Sequence, residues 1–495
     1  MKKKILVILS TLLSVGIIGC TPKIEQSVDD GDNSDLSGDS NSQQVVDKQF
    51  NYKGKNVLDN QGSETGTITF QAGGGAVELR LWDNLIADFE NKNPGIKVEK
   101  VTINDSDVLY TALAGGNAPD VVQVESHLFG NWAARGALQA IDPYVQEENL
   151  DTSDYWPQAL QMYSFNTKTG IRGNGDLFSL PKDFGVNGIF VNRTIVNDAH
   201  AAGKLTDEQY TKVTDQVNPM TFDEYIDIAV ALTTYDGTAS SVYGSNRIYW
   251  ESYLWSLGDD ILDEKYQLNY KSENVKKVFQ YSLDMVNKNS PHFCAPYTSS
   301  NSTSSQDEQS LFTTGKIAMY WSGRWNVPTY DASRIDYYCI PTPVAIKDDG
   351  TRGESCGWCS TIGYSISRNC KNTRMAYKFI KYLASREAYL QMNKLNYAVP
   401  GMMSLITEKE FADPKTYNGS RSLDAASAKT FFETAKVARI NNAARFSSNK
   451  WISAFESKLE LLFTGDIETV DDFLNSVRGE VNSAIKSSDP QLFKK

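Results

Sequence analysis

The order of sequence patterns after residue 66 limits the fold more than any other feature of this chain. Three short β-rich stretches are separated by segments whose apolar residues recur at the spacing of an α-helix. The predicted strands are Thr67–Phe70, Ile96–Ile103 and Val121–Val124, and the predicted helices are Leu79–Phe89 and Val108–Gly115. Alternating strands and helices predict an α/β domain with a mostly parallel sheet. Ligands of such sheets bind outside the carboxyl ends of the strands.

The first 19 residues have the composition of a secretory signal peptide. Three lysines lie within Met1–Lys4, residues 5–18 are almost continuously apolar, and Gly19 precedes Cys20. The segment Ile17–Cys20 also resembles a bacterial lipobox, in which the cysteine becomes a lipidated N-terminus that carries palmitate or a similar acyl chain. We therefore predict a signal peptide at residues 1–19 and an extracytoplasmic protein anchored to the cell membrane through Cys20, because buried acyl chains hold a protein at a bilayer.

Residues 20–63 are predicted to form a disordered tether behind the lipidated cysteine. Between Thr21 and Phe50 there are seven acidic residues, two lysines and one aromatic residue, with many Ser, Asn and Gln. Such a segment buries too little apolar surface to offset the loss of chain entropy on ordering. The composition therefore favours a solvated connection between the membrane and a folded domain.

The charge balance excludes several classes of function. The chain has 61 acidic and 49 basic residues, for a net charge of −12, whereas nucleic-acid binding usually requires a basic surface. There are three histidines, His127, His200 and His292, and no His-Glu-x-x-His motif. We predict no nucleic-acid partner, no metal site and no cofactor.

Five cysteines remain after Cys20, and their pairing is left open. An odd number means that at least one thiol is unpaired if the others form disulfides. Cys356 and Cys359 have the spacing of a redox pair, but a strand follows them where a redox motif would begin a helix. We expect structural disulfides or plain thiols among Cys294, Cys339, Cys356, Cys359 and Cys370.

A series of short motifs runs through residues 67–486 in a fixed order. The motifs are Thr67–Phe70, Phe89–Val98, Leu113–Val122, Trp132–Leu138, Leu180-Pro181, Pro219–Glu224, Phe312–Met319 and Val399-Pro400. Each is weak alone, but together and behind a lipobox they resemble the extracellular solute-binding lipoproteins of bacterial ABC importers, the sugar-type family that includes maltose-binding protein.

This resemblance implies a two-lobed, periplasmic-binding-protein-like α/β fold with a hinge of crossing segments and a ligand cleft between the lobes. By position, we expect the crossings near Asp183–Gly185, Ile340–Pro343 and Leu395–Ala398. The first lobe would comprise residues 64–183 and 342–396. The second lobe would comprise residues 184–341 and 397–495.

The resemblance also suggests where a ligand would lie. Sugars present flat apolar faces ringed by hydroxyls, so their sites combine aromatic rings with planar hydrogen-bonding groups. The candidate ligand-binding residues are Glu125, His127, Asp183, Trp250, Glu251, Trp321, Arg324, Trp325, Trp358 and Trp451. Core packing is the alternative role for Trp321 and Trp451, and a surface ion pair is the alternative for Arg324.

The resulting functional hypothesis is a monomeric, membrane-anchored binding protein of an ABC transporter. It would capture a sugar or oligosaccharide by hinge closure and deliver it to the permease subunits, without catalysis. Two alternatives stay open at this point: a secreted glycoside-active enzyme, since a pair of carboxylates leaves no short signature, and a sensing or adhesion lipoprotein with the same fold.

Overall fold

The structure is a computed structural model, and it describes residues 52–297, 307–396 and 398–494. The predicted signal peptide, Cys20 and the tether up to residue 51 lie outside the described residues. Within the described ranges, no helix has the length and apolarity needed to cross a membrane.

Fourteen strands are described. In chain order they are β1 Gly66–Ala72, β2 Ile96–Thr102, β3 Val121–Glu125, β4 Leu138–Gln139, β5 Ser164–Phe165, β6 Asp176–Leu177, β7 Ser179–Pro181, β8 Gly185–Asn192, β9 Tyr243–Ser245, β10 Ile317–Gly323, β11 Tyr337–Ile340, β12 Trp358–Ser360, β13 Ile362–Ser367 and β14 Arg439–Ile440.

The helices of the described residues surround these strands. In chain order they are α1 Ala76–Lys92, α2 Ser106–Gly115, α3 Ser126–Ala134, α4 Asp142–Glu147, α5 Pro157–Met162, α6 Arg193–Ala201, α7 Asp207–Thr214, α8 Phe222–Leu232, α9 Trp250–Ser256, α10 Glu273–Val286, α11 Glu308–Thr313, α12 Val327–Ser333, α13 Thr373–Leu383, α14 Arg386–Met392, α15 Lys409–Ala412, α16 Pro414–Tyr417, α17 Ala425–Val437, α18 Lys450–Thr464 and α19 Val470–Ser488. Short 3₁₀ turns cover Val57–Asn60, Arg324–Asn326, Asn393–Leu395, Met403–Thr407, Asn442–Ala444 and Pro490–Phe493.

Twelve of the strands form two six-stranded mixed sheets, and β5 pairs with β6 in a separate two-stranded sheet. We call each six-stranded sheet with its helices a lobe. The first sheet has the order β2-β1-β3-β13-β4, with β7 beside β13. In it β1 runs parallel to β2 and β3, and β13 runs antiparallel to β3. The second sheet has the order β14-β12-β8-β10-β9, with β11 beside β8. The α/β class and the early strand–helix alternation therefore agree with the sequence analysis.

Local sequence signals account for the ends of several helices. Helix α1 stops at Asn93, and Gly95 then takes a φ of +101°, a left-handed value that favours glycine. Helix α8 begins with a capping box: the Glu224 amide donates to the Thr221 hydroxyl at 3.1 Å, and the Thr221 amide donates to the Glu224 carboxylate at 2.8 Å. Both features follow directly from the sequence.

Each lobe has an aromatic core. In the first, Phe70 packs edge-on against Trp82 and Phe379, with ring centroids 5.4 and 5.3 Å apart. In the second, Trp250 lies 5.3 Å from Phe279 and 5.6 Å from Phe455, which joins α9 to α10 and α18. These contacts hold α1 and α13 against the first sheet and hold three helices of the second lobe against one another.

The predicted tether is too long at its carboxyl end. Val57 is fully buried, and its carbonyl accepts hydrogen bonds from Tyr144 at 3.3 Å and Thr373 at 2.6 Å. The Tyr52 hydroxyl donates to the Leu138 carbonyl at 3.3 Å. Residues 52–63 thus pack on the first lobe, because a few buried groups outweigh the polar average composition of the segment.

The predicted lobe boundaries also need two corrections. Strand β12 pairs with β8 and β14 in the second sheet, although residues 342–396 were assigned to the first lobe. The chain therefore returns to the first sheet at Thr361, between β12 and β13, and not near Ile340–Pro343. Residues 400–404 bond to residues 154–156 beside the first sheet, although the second lobe was expected to resume at residue 397.

Candidate functional site

A cavity of about 670 Å³ lies where the chain passes between the two sheets. Its volume falls within the range of about 300–1,000 Å³ that is usual for small-molecule sites. Residues from both lobes line it, including Glu78, Glu125, His127, Lys182, Asp183, Trp325, Thr329, Thr361 and Ala398. We call this cavity the cleft.

Two crossing segments form the floor of the cleft and are hydrogen-bonded to each other. The first joins β7 to β8 through Lys182–Phe184, and the second joins β12 to β13 through Thr361. The Thr361 hydroxyl donates to the Asp183 carbonyl at 2.7 Å, and the Ile362 amide donates to the Asp183 carboxylate at 3.0 Å. The Phe184 amide donates to the Val399 carbonyl at 2.9 Å, so a third segment joins this hinge.

Glu125 and His127 stand at the carboxyl end of β3, as expected for an α/β sheet. Glu125 lies opposite Ile362 in the β3–β13 pairing, and this register brings it to the Asp183 crossing. One Glu125 oxygen lies 3.3 Å from the Ser106 hydroxyl and the other 3.4 Å from Nδ1 of His127. Burial lowers the pKa of His127 despite the neighbouring carboxylate. The imidazole is therefore mostly neutral and can both donate and accept at pH 7.

The charge of the cleft is predominantly negative. Glu78, Glu125 and Asp183 line it together with the single lysine Lys182, whose Nζ lies 5.3 Å from the ring centroid of Trp82. Burial raises the pKa of Asp183. Sequence reasoning missed Glu78 and Lys182, since neither stands in a motif, although Lys182 directly precedes the predicted Asp183.

The amino end of α1 faces the cleft but already carries a carboxylate. Gly75, the residue before α1, lines the cleft, and its amide donates to Oε2 of Glu78 at 3.2 Å. The Gly74 amide donates to Asn104 at 3.0 Å. The helix end that could attract an external anion is thus neutralised by a residue of the helix itself.

Trp325 provides the aromatic surface of the cleft. The residue is 37% exposed, and its ring stacks on Trp358 with centroids 5.5 Å apart and an interplanar angle of 30°. Gly323 makes this position possible, because a Cβ there would lie 1.9 Å from the Trp325 ring. A large flat ring therefore remains partly open while its other face is fixed by Trp358.

A second cavity, of about 490 Å³, lies in the second lobe on the other side of this tryptophan pair. Trp358 lines it, as do Trp250 and Glu251 of α9, Glu456 of α18 and Tyr249. Trp250 is only 8% exposed and also belongs to the core. Burial raises the pKa of Glu251 to about 8.

The other predicted site residues are part of the interior. Trp321 is 1% exposed and donates from Nε1 to the Tyr225 hydroxyl at 2.8 Å, and Trp451 is fully buried against Phe446. Arg324 is also fully buried, and its guanidinium lies 5.2 Å from the centroid of Phe432. These three side chains line neither cavity. Their assignment as ligand contacts is corrected to packing.

The thiols outside residues 1–51 can also be placed. Cys294, Cys339, Cys356, Cys359 and Cys370 are all buried and free of disulfides. Burial raises the pKa of Cys356 to about 11 and raises the others further. They are therefore protonated, unreactive side chains at pH 7, which resolves the open pairing in favour of plain thiols.

The chain has two lobes joined by hydrogen-bonded crossing segments, with a cavity at the crossing. This arrangement is typical of the class of proteins that close around a solute. The family model for bacterial extracellular solute-binding proteins matches residues 75–389, and the chain belongs to this family. Members of the family bind solutes outside the cytoplasm, so the folded chain is an extracytoplasmic binding protein.

Named relatives agree with this assignment. The maltotriose-binding protein of Pyrococcus abyssi is 20% identical over 360 residues, which is 70% of this chain and 70% of the relative. The multiple sugar-binding protein of Streptococcus mutans is 24% identical over 315 residues, 61% of this chain and 68% of the relative. A Listeria monocytogenes ABC substrate-binding protein, solved in complex with cycloalternan, matches with a TM-score of 0.67 at 18% identity, covering 85% of this chain and 99% of the other. The structural match supports the two-lobed fold.

Proposed function

We propose that this protein captures a sugar or oligosaccharide in the cleft and delivers it to the membrane subunits of an ABC transporter. The observation that carries this proposal is the partly open Trp325 ring, which lies beside the polar groups Glu125, His127 and Asp183. A pyranose has a flat apolar face that can stack on such a ring, and its hydroxyls require carboxylate, imidazole and hydroxyl partners at the edge.

Three further observations support a carbohydrate over an anionic solute. Glu78 already occupies the amino end of α1, and Lys182 is outnumbered by carboxylates in the cleft. An anion would therefore meet repulsion from most of the charged groups around it. The relatives named above are a maltotriose-binding protein, a multiple sugar-binding protein and a substrate-binding protein solved in complex with cycloalternan.

Closure would occur by bending at the three hinge segments. The crossings at Lys182–Phe184 and Thr361 and the segment at Val399 are short and bonded to one another, so a change in a few backbone angles can move one lobe relative to the other. The closed lobes would cover the sugar, exclude water and present the surface that the permease recognises. A lipid on Cys20 would keep this cycle at the membrane.

A saccharide panel tests the proposal directly. Ligands that bind the folded state alone raise its stability by RT ln(1 + [L]/Kd), or about 2.7 kcal/mol at one hundred times Kd. We expect a subset of mono- and oligosaccharides to raise the melting temperature and to bind in calorimetry with unchanged ligand after incubation. Binding of phosphate esters or peptides without any response to sugars would overturn the proposal, and release of hydrolysis products would favour an enzyme.

A further inference from the structure

A further cavity, of about 400 Å³, lies between the two lobes and shares no lining residue with the cleft. Three arginines line it, Arg172 from the first lobe and Arg439 and Arg445 from the second, together with a single carboxylate, that of Asp260. We call it the arginine cavity. The chain has a net charge of −12, so this local excess of positive charge is opposite in sign both to the chain and to the cleft.

Arg172 is the most deeply buried of the three arginines, with 7% of its surface exposed. Its Nη atoms donate to the carbonyls of Ser126 and Met162 in the first lobe and, at 3.2 Å, to the carbonyl of Phe446 in the second. These acceptors orient the guanidinium but carry no full charge. Among the described residues Arg172 forms no ion pair, and its Nε has no hydrogen-bond partner. Burial lowers the pKa of Arg172 only to about 10, so the cation persists at neutral pH without a counter-charge.

The second lobe supplies the other two cations. Arg445 is paired through Nη1 with Asp260 at 2.6 Å, so the one carboxylate of the cavity is already engaged. Arg439 is exposed at the start of β14, and its guanidinium lies 5.6 Å from the ring centroid of Trp255. The ring orients this guanidinium without neutralising it. Since Arg439 also forms no ion pair within the described ranges, one uncompensated cation faces the cavity from each lobe.

We propose that the arginine cavity binds a phosphate or sulfate group and that this anion bridges the two lobes. The planar fork of donors on a guanidinium matches such oxyanions. Two uncompensated positive charges favour a group that carries about two negative charges over a single carboxylate. The inference goes beyond the proposed sugar-binding function, because the anion and the sugar would occupy separate cavities.

Calorimetric titrations with inorganic phosphate, sulfate, glycerol phosphate and acetate test the site. The buffers would contain chloride at equal ionic strength, so that screening is constant. We expect one saturable site that holds a dianion at least about tenfold more tightly than acetate, because hydrogen bonds between charged groups are stronger than neutral ones. The tighter ligand of inorganic phosphate and glycerol phosphate would identify a free ion or an ester as the source. Binding without saturation, or equal binding of acetate, would overturn the inference.

Variants at exposed positions locate the site. Arg439→Gln should keep the fold and weaken phosphate binding at least about tenfold, whereas Arg421→Gln, which removes an exposed arginine outside the cavity, should leave it unchanged. Gln161→Glu places a carboxylate on the wall that α5 contributes from the first lobe and should also weaken binding. Normal phosphate binding by Arg439→Gln or by Gln161→Glu would contradict an anion held between the lobes.

A combined titration separates this inference from the proposed function. The best sugar of the panel, at saturation, should not displace phosphate, because the cleft and the arginine cavity have no lining residue in common. Competitive displacement would place the anion in the cleft and overturn the inference while leaving sugar binding intact. Phosphate binding that depends on Arg439, without a response to any saccharide, would overturn the proposed function and leave the anion site standing.

Discussion

Replacement of Trp325 by alanine is the sharpest test of the cleft. An indole side chain offers about 150–250 Å² of surface, and Trp325 leaves 37% of its surface exposed, so a stacked sugar can cover about 55–90 Å² of it. At about 25 cal/mol per Å², this contact contributes about 1.4–2.3 kcal/mol, or a tenfold to fortyfold change in the dissociation constant. The ligand-free protein should lose less, because the ring is not part of a closed core.

Trp451→Ala provides the matched control, since Trp451 is fully buried and lines neither cavity. Loss of a buried tryptophan costs about 3–5 kcal/mol of folding free energy through lost burial and cavity formation. Calorimetry with the best sugar of the panel and urea unfolding of both apo variants would separate the two effects. The reasoning is refuted if Trp325→Ala destabilises the apo protein as much as Trp451→Ala and binds the sugar normally.

Three further outcomes are expected. Glu251→Gln should be more stable than the natural chain at pH 8 by up to about 5 kcal/mol and equally stable near pH 4.5. Folding raises the pKa of Glu251 from 4.5 to about 8, so the unfolded chain loses this proton first as pH rises and the natural fold is destabilised. Urea unfolding across this pH range measures the difference in stability, and a difference that does not change with pH contradicts the prediction. Gly323→Ala should weaken sugar binding about as much as loss of the Trp325 ring, because the new methyl displaces that ring, whereas Gly479→Ala, with open space around it, should not. Cys20→Ala should move the protein from the membrane fraction to the soluble fraction, and continued membrane association would argue against lipidation.

The sequence predicts the elements whose signals are local. Helix α1, its end before Pro94-Gly95 and the capping box at Thr221 depend on residues within a few positions of one another, and the structure contains them. The anchoring of Val57 was not predictable in the same way, because its partners Tyr144 and Thr373 are distant in sequence. The average composition of the predicted tether is polar, and this average does not reveal that a single residue within it is buried.

The sequence indicated where the candidate site lies better than it indicated which individual side chains line it. Glu125, His127, Asp183 and Trp325 lie together because a strand end, a hinge crossing and a motif each mark them. Trp321 could not be distinguished from Trp325, because every residue of β10 is buried and its sequence therefore lacks the polar alternation that identifies an exposed face. Glu78 was missed because its role depends on the fold of the Gly73–Gly75 turn.

The pairing of β3 with β13 has a consequence for how the chain reaches its native state. Glu125 pairs with Ile362, roughly 240 positions later in the chain, so the first sheet cannot close until most of the polypeptide is available. Contacts of such long sequence separation slow folding, and an amino-terminal fragment would keep the edge of β3 open to other chains. Synthesis of β13 must therefore precede the completion of the first sheet, and fragments that end before residue 362 should aggregate or be degraded.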